Sequence, residues 1–176
     1  MRSIIFLPFF LCTLFSGLFA QEEFPKSWTG IYKGDLHIYG VDSVRMNVPM
    51  ELTISPTARD SVYEWKIIYT MAGKEDLRAY ELKILDAQKG HYLIDEKNSI
   101  VLDAYLRANI FTSFFDVSGA FIIATYTKEG NTIIFEIISA VTESVNTSGN
   151  IKSDDENIPE VHSYHVNGRQ RAILKK

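Results

Sequence analysis

The residues able to do chemistry are few and scattered along the chain. His162 and His165 stand three apart, close to the acidic run of Asp154, Asp155, Glu156 and Glu160. A calcium loop would draw six to eight oxygens from a shaped turn, and the chain has no Asp-x-Asp-x-Asp-Gly pattern. A solvated charged stretch accounts for the same acids. On a strand, His162 and His165 face opposite sides, so at most one points inward. Arg78 precedes Tyr80, Leu82 and Ile84 at alternate positions, and Asp95 or Glu96 on the next run is its expected partner. Such a pair can orient the polar head of a ligand or serve the fold alone. The chain has no Gly-x-Ser-x-Gly, His-Glu-x-x-His or phosphate-binding glycine loop, so no catalytic constellation is expected. The acids are read as surface.

A different chemistry is written in the apolar residues. Met46, Met50, Tyr63, Trp65, Tyr69 and Tyr80 fall on alternating positions of three consecutive runs. Met adapts to irregular shapes, and Tyr offers a hydroxyl within an apolar wall. If these side chains converge, they line an interior for a small apolar or amphipathic ligand, with Arg78 near one end. The same residues can instead simply fill that interior.

The elements that must position them are strands. Val44, Met46, Val48, Met50, Leu52 and Ile54 alternate with Arg45, Asn47, Pro49, Glu51 and Thr53, which is the period of a strand with one wet and one dry face. Pro49 removes a backbone donor, so a bulge or locally unpaired edge is expected there. Residues 63–71 repeat the pattern. Further strands are expected at 28–39, 78–85, 91–96, 100–106, 110–116, 120–127, 132–140 and 169–174, separated by turn signals such as Gly73-Lys74, Ser118-Gly119 and Glu129-Gly130-Asn131. Residues 142–160 are polar and acidic and read as a long surface loop or lid. Short strands joined by tight turns predict an all-β protein, an antiparallel up-and-down barrel of about 8–10 strands. Charged residues on the wet faces argue against a lipid-facing barrel.

Composition agrees. The chain has 176 residues, 46% of them hydrophobic, with net charge −4, which suits one globular domain and excludes disorder. The acidic balance excludes a general nucleic-acid binder. Residues 1–20 place Arg2 before an apolar run ending in Leu18-Phe19-Ala20, the layout of a cleavable signal peptide. The protein is therefore expected to be exported, to the periplasm or outside the cell. Cleavage after Ala20 removes Arg2 from the 18 basic residues, none of the 22 acidic ones, and the single cysteine, Cys12. The mature chain, residues 21–176, then has no thiol chemistry, no disulfide and no integral membrane span, and its stability rests on the core.

The opening run Ser27-Trp28-Thr29-Gly30-Ile31-Tyr32-Lys33-Gly34-Asp35-Leu36 resembles the first strand of lipocalin-like (calycin) barrels. That resemblance implies a barrel closed at its base by Trp28 beside Gly30, with Arg169 or Arg171 from the last strand over the indole in a cation–π contact. The same Trp-x-Gly opening also resembles the haem-binding barrels related to nitrobindin. This second resemblance implies a haem-ligating histidine near the final strand, for which His165 is the candidate. A surface histidine beside a polar loop is the alternative. Otherwise no cofactor or metal is expected.

Overall fold

The computed structural model describes residues 23–153 and 156–176. The expected signal peptide, residues 1–20, and the acidic pair Asp154 and Asp155 lie outside them. A single turn of 3₁₀ helix, Lys26–Trp28, leads into strand β1 (Gly30–Tyr39). Then follow β2 (Val44–Pro56), β3 (Val62–Met71), β4 (Lys74–Asp86), β5 (His91–Asp95), β6 (Val101–Arg107), β7 (Ile110–Val117), β8 (Ala120–Glu129), β9 (Thr132–Ser148), the short β10 (Ile151–Ser153) and β11 (Glu156–Ile158), and β12 (Val161–Lys175). Strands β1 to β9 pair in sequence order, and β12 pairs with both β9 and β1, which closes an antiparallel barrel of ten strands. Closure leaves no free sheet edge along the barrel wall. The connections Ala72-Gly73 and Ser118-Gly119 each turn in two residues with positive φ at both positions, as the twist of a tight hairpin demands.

Alternation governs burial as expected over most of the wall. In β2, Val48, Met50, Leu52 and Ile54 are buried while Arg45, Asn47 and Pro49 face water. Met46 and Val44 keep the inward parity yet stand exposed, Met46 at 51%. The reason is length: the pairing of β2 with β3 begins at Met50, so Met46 rises past the wall that would have covered it. That ladder stops one residue short of Pro49, which has no N–H to continue it, while β1 pairs through Pro49 without a bulge.

The interior is filled at one end. Trp28 and Phe24 enter from the base with ring centroids 4.8 Å apart. Phe24 contacts Tyr92 and Phe111, Phe111 contacts Trp65, and Trp65 meets Tyr126 edge-on at 5.0 Å. Edge-to-face contacts of this kind add to the area term that drives burial.

The polar stretch at 142–160 is not the expected loop. β9 runs on to Ser148 and β12 starts at Val161, so the two pair beyond the barrel as a ribbon, with the β10–β11 hairpin after it. The β8–β9 ladder ends at Val141. Seven further residues of β9 therefore project roughly 20 Å past the wall. Thr142, Val145 and Thr147 favour extended backbone. The segment is polar because the ribbon has no core to cover.

Candidate functional site

The end opposite Trp28 is the candidate site, and β3 and β4 build one side of it. Their register sets Trp65 opposite Tyr80, Ile67 opposite Arg78 and Tyr69 opposite Asp76, all on the inward face. Burial falls off along β4: Leu82 is fully buried, Tyr80 half-buried and Arg78 exposed. The Arg78 Nη2 donates to Asp76 Oδ2 at 2.8 Å. That bond raises the guanidinium's pKa further; burial opposes it, and the carboxylate's charge adds a smaller rise. Burial pushes the Tyr69 hydroxyl up to about 12, with a smaller rise from Tyr80, an opposing pull from Arg78 and a further small rise from Asp76. Tyr80 is raised by burial and then by Glu96. Tyr126, deeper in, is raised by burial. All three phenols therefore stay protonated as hydrogen-bond donors at neutral pH.

The opposite side is aliphatic and aromatic. Leu102, Phe115, Ile122, Ile137 and Ile38 continue the inward parity of β6, β7, β8, β9 and β1, and all five are only half-buried. Below them stand the small residues Ala104, Ser113 and Ala124, which recess the wall. The floor consists of Trp65, Leu82 and Phe111, each at most 1% exposed. The mouth thus sets phenols and an ion pair against an apolar wall, above a packed aromatic floor.

The expected ligand-lining residues separate by height. Tyr69, Tyr80 and Arg78 reach the mouth, and Trp65 and Met50 are buried beneath it. Tyr63, opposite Leu82, lies nearer the base, and Met46 stands at the rim. Arg78 does not pair with Asp95 or Glu96. Asp76, two residues away on the same face, takes its place, while Asp95 holds Lys83 at 2.6 Å.

Base closure differs from the expectation as well. Trp28 is buried there, and Tyr32 Oη donates to its carbonyl at 2.9 Å. Arg171, however, has the outward parity of β12 between buried Ala172 and inward Gln170, opposite Glu136 and His37, and cannot reach the indole. Arg169 also points outward, onto the Tyr39 ring at 5.1 Å and to Glu136 at 2.7 Å. The base cations are lysines. Lys176 Nζ donates to the Thr29 carbonyl at 2.7 Å, and Gly30, at φ +149, leaves room where a Cβ would meet the Lys176 side chain. Lys128 Nζ lies 5.6 Å over the Tyr32 ring.

His165 is exposed in an irregular stretch of β12 and shares an outer groove with Tyr39, Arg45 and Arg169. It does not face the apolar interior that an axial haem ligand needs. His162 is held outside by Thr147 and Glu160, each at 3.0 Å. Among the described residues no cluster of His, Cys, Asp or Glu could hold a metal ion, and no helix is long and apolar enough to cross a membrane.

Sequence reasoning missed Phe111 as a floor residue and missed its buried neighbours Tyr126 and Phe135. Alternation with Ser113, Ala124 and Ile137 was the available signal. The chain matches no known family model, and no curated protein matches its sequence. The class of protein is therefore defined by fold and site: a closed ten-stranded antiparallel barrel with a buried aromatic core and partly buried phenols and aliphatic side chains at the end opposite Trp28.

Proposed function

We propose that the protein is an exported barrel of lipocalin-like type that holds a small apolar or amphipathic ligand in its open half. One observation carries this reading: inward-facing side chains above the floor, among them Tyr69, Tyr80, Phe115 and Ile122, are only partly buried. Side chains of a barrel filled to its rim would cover one another. The apolar body of a ligand against Ile122, Ile137 and Phe115 supplies affinity at about 25 cal/mol per Å² buried. Tyr69, Tyr80 and Arg78 fix a polar head. The test is titration with N-phenyl-1-naphthylamine, a neutral apolar fluorophore. The folded protein should bind it saturably, one per chain, and Ala124→Phe, which fills the recess, should weaken binding about tenfold or more. Equal binding by both proteins would remove the mouth as the site.

A second reading is an envelope-associated accessory protein that acts through its surface. It is favoured by an outer apolar patch near the ribbon. Phe114 is 64% exposed and lies tilted against Phe121 at 5.8 Å, and Phe121 meets Tyr164 at 5.3 Å. Patches of this kind mark interaction sites. A Phe114→Ser variant that binds the fluorophore normally but no longer retains envelope proteins in a pull-down would favour this reading.

A further inference from the structure

At the base, a cleft of about 640 Å³ lies between the 3₁₀ turn and the connections β4–β5, β6–β7 and β8–β9. That volume falls within the range of small-molecule sites. Two of the groups lining it are unusual. Tyr92 is 2% exposed and its hydroxyl has no hydrogen-bond partner among the described residues. No fully buried side-chain polar atom of those residues lacks a partner, so the hydroxyl is the part of Tyr92 that opens into the cleft. A hydroxyl open at the edge of an otherwise buried ring is available to a bound molecule.

Lys128 is the second. It continues the inward parity of Tyr126, lies over the Tyr32 ring, and donates to the Gly130 carbonyl. No carboxylate pairs with it among the described residues. Burial, and then the neighbouring Lys176, holds its pKa below the usual lysine range. Both costs are relieved by an anion. Glu23 also lines the cleft, near Tyr92, where burial and then the Glu23 charge raise the phenol. That end repels a second negative charge.

We propose that this cleft is a second binding site, for a small organic monocarboxylate whose carboxylate pairs with Lys128 and whose body reaches toward Tyr92. The site is independent of the mouth, since the stack from Phe24 through Phe111 and Trp65 to Tyr126 separates the two.

Calorimetric titration with hexanoate and with hexanol tests it. Hexanoate should bind at least about tenfold more tightly than hexanol, because the charge-assisted bond to Lys128 is lost in the alcohol. Lys128→Gln should erase that preference, and Lys128→Arg should keep most of it, which separates lost charge from lost folding. Tyr92→Phe should weaken 6-hydroxyhexanoate, whose far hydroxyl can accept from the phenol, about threefold and leave hexanoate unchanged. N-phenyl-1-naphthylamine should not compete. The proposal is overturned if folded Lys128→Gln keeps the preference, if the fluorophore displaces hexanoate, or if the unaltered protein binds no hexanoate at millimolar concentration.

Discussion

Tyr69 carries the most readable electrostatic consequence of the fold. Burial raises its hydroxyl to about 12, against about 10 in an unfolded chain. The folded state thus favours the protonated phenol. Its contribution to stability is complete below about pH 10 and is lost as the pH rises through the folded value. Tyr80 and Tyr126 shift in the same direction. Absorbance at 295 nm should show exposed tyrosines ionising first and a later group ionising as the protein unfolds. Tyr69→Phe should make the fall in Tm above pH 10 shallower. A single tyrosine titration near pH 10 would contradict the placement. Trp65 is the matching packing test. It is 1% exposed and packs on Phe111 and Tyr126, so Trp65→Ala should cost about 3–5 kcal/mol in urea denaturation. An unchanged midpoint would show that it is not core.

At the scale of elements, the ribbon and β1 make opposite predictions. The ribbon lends the barrel little packing, so joining Ser144 to Tyr164 through an Asn-Gly turn should leave the far-UV spectrum intact and shift Tm by only a few degrees. Gly34 lies on the inward face of β1, where a Cβ would collide with the Ile173 carbonyl oxygen and press on Leu174. Gly34→Ala should cost about 1–3 kcal/mol in the same denaturation experiment, since neither strand backbone can withdraw. The strands themselves were legible because alternation reports a half-buried sheet directly, as in Val48, Met50, Leu52 and Ile54. The ribbon was not, because a strand pair solvated on both faces has no dry side to create alternation. The partner of Arg78 was missed for a related reason: at a rim, the nearest carboxylate is two residues along the same face, as Asp76 is, rather than across the ladder.

For the molecule as a whole, closure was foreseeable from the succession of hairpins, and the division between a fully buried aromatic level and partly buried ends was not. That division depends on which inward residues end up at one level, and the stagger of ten strands sets this, not any single run. Trp65 and Tyr126 are brought edge to face from separate strands, and nothing in either run announces the meeting. Met46 shows the same limit, with correct parity but too great a height. The most direct measurement uses the fact that Cys12 is the single cysteine. In a Cys12→Ser background, single cysteines placed along β8 at positions 122, 123, 124 and 126 would be exposed to a small thiol reagent, with and without N-phenyl-1-naphthylamine. Position 123 should react whether or not the fluorophore is present. Positions 122 and 124 should react and be shielded by it, and position 126 should stay inert. Positions 122 and 124 as inert as 126, or reactive with no shielding, would contradict an open, ligand-holding mouth above a sealed floor.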